Sequence, residues 1–250
     1  MQTIARKTLL YKTGVEYGDY CINHVLGCSH GCLYPCYAYL LKKRTGAVKD
    51  YKDWTEPKIV GNTMELLKKE IAKYKDKIKS VHLCFSTDPF MYGQKEIQSL
   101  SMDILDFLNK NTDIPCTILT KGEYPPPGLP LTDKFQYGIT LVSLSEDFRR
   151  KYEPGAAPIY LRLPELRDMK DIGFKTWVSM EPYPTPNIFE QDINEILNAV
   201  KFVDKIVFGR MNYNSLSVGY DEFYKEQAEK VLKFCKIHKI ECYIKKGTVK

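Results

Sequence analysis

Short apolar runs recur along the chain, separated by longer stretches in which leucine, isoleucine and aromatic positions fall three and four apart. The runs Val81-His82-Leu83-Cys84-Phe85, Pro115-Cys116-Thr117-Ile118-Leu119, Tyr137-Gly138-Ile139-Thr140-Leu141-Val142 and Thr176-Trp177-Val178-Ser179-Met180 read as strands, as do Lys205-Ile206-Val207-Phe208 and Glu241-Cys242-Tyr243-Ile244. Helical spacing covers 95–109, 188–200 and 220–238, with a shorter helix over 165–172. Nearer the start, a polar lead-in gives way to a first strand over 19–26 and then to a helix over 37–44 closed by Gly46. A polar, aromatic-bearing connection over 49–58 and a helix over 63–77 follow. Alternation of this kind predicts parallel βαβ units, whose strands are buried on both faces and so run apolar without strict alternation. Six or seven such units make a partial or complete barrel; an open doubly wound sheet has the same periodicity. The chain shows no internal repeat, and Pro125-Pro126-Pro127-Gly128 reads as a stiff loop inside the domain rather than a boundary.

At 250 residues the chain has ample core without disulfide staples, and we expect a single domain with its core over about 19–244. No secretory leader, membrane-length apolar run or lipidation signal is evident, so the expectation is a cytoplasmic protein with reduced cysteines. Eight cysteines, three clustered and five scattered, do not form a secreted disulfide framework in a chain this long. The net charge of +6 gives only a weak push towards a polyanionic partner.

Chemistry concentrates in Gly27-Cys28-Ser29-His30-Gly31-Cys32-Leu33-Tyr34-Pro35-Cys36-Tyr37-Ala38. Three thiolates at this spacing let one loop reach several corners of an inorganic centre, which suits an iron-sulfur cluster or zinc. Three ligands leave one metal position open for a small molecule, whereas His30 as a fourth would close a structural zinc site. A non-catalytic zinc or iron-sulfur module is therefore the alternative to an enzyme. The predicted strands also end in polar residues: Ser86-Thr87-Asp88-Pro89, Thr120-Lys121-Gly122, Thr140 leading to Ser143, Glu181-Pro182 and Gly209-Arg210. Each alone is an ordinary helix cap or surface charge, but together they lay out a ring of contacts around one mouth.

These residues carry a likeness. The cysteine loop, then Cys84-Phe85-Ser86-Thr87-Asp88-Pro89, Ile118-Leu119-Thr120-Lys121, Thr140-Leu141-Val142-Ser143 running on to Tyr152-Glu153-Pro154-Gly155, and Trp177-Val178-Ser179-Met180-Glu181-Pro182 occur in that order. In this series the chain resembles radical SAM enzymes, and among them the spore photoproduct lyase-like group. One departure is the spacing C-x3-C-x3-C, in which Pro35 is inserted relative to the family's C-x3-C-x2-C.

The resemblance implies an α/β fold of the partial (β/α)6 TIM-type barrel kind, and a [4Fe-4S] cluster on Cys28, Cys32 and Cys36 that reductively cleaves S-adenosylmethionine to a 5′-deoxyadenosyl radical. Ser86, Thr87 and Asp88 would then lie near the methionine amino group, Lys121 on its carboxylate, and Thr140 and Ser143 near the ribose. Glu181 and Arg210 join the cofactor-binding set only by strand-end position. The resemblance also marks Cys84 as a hydrogen donor, with Tyr34 and Tyr37 as relay residues; tyrosines that shield the cluster from water are the plainer account. By strand alternation Cys84, Ser86 and Asp88 share one face. An external one-electron reductant of flavodoxin or ferredoxin type is implied, and a lyase or nucleic-acid modifying reaction is consistent with Lys42-Lys43-Arg44, Arg149-Arg150-Lys151 and Lys245-Lys246. No membrane partner is expected.

Overall fold

The computed structural model describes residues 1–14, 18–125 and 128–249. In chain order the elements are β1 (Gln2–Ile4), β2 (Leu10–Lys12), β3 (Tyr20–Ile22), β4 (Val25–Leu26), α1 (Tyr37–Arg44), α2 (Tyr51–Thr55), β5 (Lys58–Val60), α3 (Thr63–Tyr74) and β6 (Val81–Leu83). There follow α4 (Lys95–Asn111), β7 (Cys116–Thr120), β8 (Phe135–Thr140), α5 (Glu146–Tyr152), α6 (Ile159–Asp171), β9 (Lys175–Tyr183), α7 (Ile193–Ala199), β10 (Lys205–Arg210), α8 (Asp221–His238) and β11 (Glu241–Ile244).

The large sheet has the order β11-β10-β9-β8-β7-β6-β3-β2. Every neighbouring pair from β3 to β11 is parallel, and β2 adds an antiparallel edge. Each new strand joins beside the previous one, so the order never reverses. That excludes the doubly wound alternative, whose ligand crevice is created by such a reversal. The sheet ends in free edges at β2 and β11 and is not a closed barrel. A small second sheet, β1-β5-β4, lies beside it.

The core follows from the patterning. α4 buries Ile97, Ser101, Ile104, Leu105 and Leu108, an i, i+3, i+4 stripe against the strands. Each large aliphatic side chain so buried stabilises the fold by about 1.5–3 kcal/mol. β8 buries Phe135, Tyr137 and Ile139, and β9 and β10 are almost continuously buried, as parallel strands covered on both faces should be.

Several boundaries differ from the sequence expectation. The run 19–26 is two strands in two sheets: the chain leaves β3 at Ile22 and pairs again as β4 with β5. His24 causes the break, because its ring turns into the core to Ser101 Oγ at 2.8 Å while its carbonyl accepts from Val60 N at 2.9 Å. The cysteine loop therefore springs from the small sheet. The helix at 165–172 begins earlier, at Ile159, and runs through Pro164. The 188–200 segment becomes helical only at Ile193, where the Asp192 side chain accepts from Asn194 N. α5 was hidden by polarity; Ser145 caps it by accepting from Asp147 N and Phe148 N. Pro126 and Pro127 of the proline run lie outside the described residues.

Candidate active site

The ends of the parallel strands open on a pocket of about 330 Å³, within the range of small-molecule sites. One wall is the cysteine loop. Its Gly27 has φ +91°, and a Cβ there would sit 2.6 Å from the Trp54 carbonyl, so only glycine lets the loop leave β4 past α2. Cys28, Cys32 and Cys36 are free thiols, part-exposed, and all line the pocket. Among the described residues no three His, Cys, Asp or Glu side chains are already gathered as a metal-ligand set, so the thiols line one wall without closing on a common point. Pro35 holds Tyr34 and Cys36 on either side of a bend: Tyr34 turns inward and is buried, and Cys36 is extended (φ −75°, ψ 113°) just before α1.

His30 does not complete a fourth corner. It is buried, Tyr92 N donates to its Nε2 at 3.4 Å, and its Nδ1 faces Asp88 Oδ2 at 3.4 Å. Burial holds the imidazole below its ordinary range despite Asp88, so it is a neutral strut. Asp88 is equally committed: Oδ1 accepts from Thr120 Oγ1 at 2.7 Å and Phe90 N at 2.8 Å, and Oδ2 from Lys121 N at 2.8 Å. It locks the β6 and β7 ends together beside the pocket. Ser86 bonds to Asn23 Oδ1, whereas the Thr87 hydroxyl is buried with no hydrogen-bond partner among the described residues. A buried orphan hydroxyl on a pocket wall fits a ligand donor or acceptor there.

Lys121 faces the same wall. Its Nζ lies 3.2 Å from Glu153 Oε1 and 3.9 Å from Cys32 Sγ, bonds the Tyr34 hydroxyl, and sits 4.9 Å over the Tyr34 ring. Behind it Glu153 also accepts from Tyr34 Oη at 2.7 Å and pairs with Arg162 Nη2 at 3.5 Å. Arg162 in turn donates to the Thr140 carbonyl at 2.9 Å. Burial alone would push the Glu153 carboxyl up, but Lys121, Arg162 and the Tyr34 hydroxyl together hold it below the usual range. Burial likewise opposes the Lys121 charge, and the Cys32 and Glu153 sides outweigh it.

Cys84 lines the pocket but is not on the strand. β6 ends at Leu83 and Cys84 has φ +61°, so the alternation that would group it with Ser86 and Asp88 does not extend to it. Its Sγ lies 3.4 Å from His24 Nδ1. Ser101 gives its single proton to the Pro89 carbonyl at 2.5 Å, so it accepts from His24 Nε2, which leaves Nδ1 bare towards sulfur. Tyr37 Oη donates to the Phe85 carbonyl. Thr140 and Arg210 are on the pocket; Ser143 is not, its hydroxyl accepting from Ser145 N at 3.1 Å in the turn into α5.

The opposite wall holds Glu181, whose Oε2 is 2.7 Å from Lys245 Nζ, and Arg210, paired with Asp221 at 2.7 Å. Glu181 lies across Gly209, where a Cβ would come within 2.8 Å of its carboxylate carbon. Sequence reading missed Glu153, Arg162 and His24 as site residues, and it took Lys245 only as part of a basic pair, whereas its ammonium lies on the pocket against Glu181. Glu153 was visible within Tyr152-Glu153-Pro154-Gly155, but nothing in its own segment indicates that it is buried between two cations.

No protein-family model matches the chain, and no curated protein matches it. The arrangement of a parallel α/β sheet with a site at its strand ends does have solved counterparts. Spore photoproduct lyase complexed with dinucleoside spore photoproduct superposes with a TM-score of 0.67 at 14% identity, covering 97% of this chain and 80% of that one. A mutant of that lyase with bound AdoMet and the dinucleoside spore photoproduct gives 0.68 at 13% identity with the same coverage. Streptococcus suis SuiB bound to S-adenosylmethionine gives 0.50 at 15% identity over 70% of this chain and 39% of that one. The chain thus has the fold of these radical SAM enzymes.

Proposed function

We propose that this chain is a radical SAM enzyme of the spore photoproduct lyase-like kind, binding a [4Fe-4S] cluster through Cys28, Cys32 and Cys36 and S-adenosylmethionine in the adjoining pocket. The observation that carries this reading is the donor set: three part-exposed thiols on one pocket wall, with the candidate fourth ligand, His30, engaged elsewhere. Three sulfur donors facing a cavity suit a cluster with one open iron better than a closed Cys3His zinc site. Strand-end residues from β6 to β10 around one pocket also support reading the open sheet as the partial (β/α)6 barrel.

What the cofactor pair supplies when bound is one-electron cleavage of S-adenosylmethionine, giving a 5′-deoxyadenosyl radical for hydrogen abstraction. The chain's own residues bind and orient. Lys121 offers a point charge to the ligand carboxylate, and Thr87 and Ser86 offer hydroxyls near the amino group. Thr140 borders the space for the ribose, with Glu181 and Arg210 beyond it; Ser143 would reach it only if the turn before α5 moved.

Cys84 is the residue for hydrogen return. Burial pushes its thiol up to about 12, so the proton stays on sulfur below that pH, and burial holds His24 down to about 3, so the imidazole does not take it. A permanently protonated thiol is a hydrogen-atom donor rather than a nucleophile. The hydroxyl hydrogens of Tyr34 and Tyr37 are directed to Glu153 and the Phe85 carbonyl, which favours packing and positioning roles over a relay in the resting chain. An external one-electron donor of flavodoxin or ferredoxin type would supply the reducing equivalent. Dinucleoside spore photoproduct is bound by the structural neighbour, and a nucleic-acid lesion is one substrate class this pocket would serve.

Anaerobic reconstitution with iron and sulfide tests the reading. Visible thiolate-to-iron absorption with about four irons per chain is expected. A chain that takes up only zinc would contradict it.

A further inference from the structure

We propose that Glu153 is a positioning residue that holds the Lys121 ammonium against the sulfur of Cys32, and that this ammonium raises the reduction potential of the cluster carried on that thiolate. The inference rests on the cofactor reading above and goes beyond it by assigning a role to a residue that touches neither cofactor.

The segment 152–155 is a brace across the middle of the cysteine loop. Leu33 N donates to the Tyr152 carbonyl at 2.8 Å and Gly155 N to the His30 carbonyl at 2.9 Å, one bond on each side of Cys32. The fit is close enough that a Cβ at Gly155 would lie 2.2 Å from the Ser29 carbonyl. The brace is itself fixed to α5, since Arg149 Nη1 donates to the Pro154 carbonyl at 3.3 Å and to the Ala156 carbonyl at 3.2 Å. Its only inward charge is Glu153.

A carboxylate this deeply buried is costly unless fully paired. Here three donors converge on it, and their side chains are 14% (Lys121) and 1% (Arg162) exposed, with Tyr34 buried. Arg162 is anchored by a strand carbonyl and cannot follow the pocket. Lys121 can, because its ammonium rides on a four-carbon stem and is held by Glu153 and by a Tyr34 hydroxyl that Glu153 itself orients, so loss of Glu153 loosens both restraints. With Glu153 in place the ammonium stays 3.9 Å from Cys32 Sγ. Positive charge and hydrogen bonds at a cluster sulfur favour the reduced state. Glu153 therefore sets the potential indirectly, through where it puts Lys121.

The two roles of a carboxylate predict opposite signs. As a nearby negative charge, Glu153 would depress the potential and its removal would raise it. As the anchor of Lys121, its removal lowers the potential. The experiment is a potentiometric titration of the reconstituted cluster without S-adenosylmethionine, in wild type, Lys121→Met, Lys121→Arg, Glu153→Gln and the Lys121→Met/Glu153→Gln double variant. Iron content and circular dichroism of each variant are checked against wild type. Lys121→Met is expected to shift the one-electron equilibrium at least tenfold towards the oxidised form, about 59 mV lower. Lys121→Arg should recover most of that shift. Glu153→Gln should move the potential downwards, and the double variant no further than Lys121→Met alone. If Glu153→Gln does not hold iron, Glu153→Asp, which keeps the charge but withdraws it, should still lie below wild type. A potential that rises or stays unchanged in the Glu153 variants overturns the inference. Wild-type protein that takes up no iron overturns the cofactor reading and this inference with it, whereas an iron-loaded wild type with unmoved variants overturns the inference alone.

Discussion

The two walls of the pocket hold their charges differently. On the cysteine wall Glu153 and Arg162 are buried and the Lys121 side chain is 14% exposed, and each is fixed by more than one partner. On the opposite wall the Lys245–Glu181 pair is about 19–20% exposed at both side chains, and Arg210, itself buried, reaches out to Asp221, which is 45% exposed. A dry network is preorganised and costs little to use, whereas a hydrated one can repair and rearrange around a guest. The cysteine wall is thus the more tightly tied of the two. The far wall also carries Tyr213, a pocket residue exposed to solvent.

The largest effect should come from the cysteine wall itself. Cys32→Ala is expected to abolish cluster retention, measured as iron per chain after gel filtration, while leaving the fold intact by circular dichroism. Next is Lys121→Met, which removes a charge-assisted contact of about 1.5–3 kcal/mol and should weaken S-adenosylmethionine binding roughly 10- to 100-fold by equilibrium dialysis. Lys245→Met, on the far wall, should change that affinity by no more than about fivefold, since part-exposed ion pairs contribute about 1 kcal/mol or less. An equally large loss there would erase the distinction between the walls.

A control outside both walls has the smallest effect. Glu165 accepts from Tyr124 N at 2.9 Å, and burial, with Glu123 and Asp168 adding to it, pushes its carboxyl up to about 7. A raised carboxyl means the folded state holds the proton more tightly than the unfolded chain, whose value is near 4.5. Its favourable contribution is complete below about pH 4.5, is lost as the pH rises towards 7, and is absent above. Glu165→Gln keeps an acceptor and removes the charge, so its melting temperature should exceed that of wild type at pH 8 and the gap should close below pH 5.

The strand-helix rhythm was legible because parallel strands and covering helices leave strong periodic signals, and β11 and α1 fall where patterning puts them. The break in the first strand was not, because His24 looks like any strand residue until its contact with Ser101, 77 positions away, is known. The same holds at the site. The cysteines are adjacent in sequence and announce themselves, whereas Glu153 is 119 positions from Tyr34 and 32 from Lys121 by residue number. Asp88 stands out in the sequence as a polar strand end and lines the pocket, but its commitment to Thr120, Phe90 and Lys121 appears only once the β6 and β7 ends meet.

The central claim is that the cysteine wall carries radical chemistry. Its most direct measurement is chromatographic detection of 5′-deoxyadenosine from reconstituted protein given dithionite and S-adenosylmethionine. We expect release in wild type and none in Cys28→Ala, Cys32→Ala or Cys36→Ala. Release that persists when any of the three thiols is removed, or an iron-loaded wild type that releases none, would contradict it.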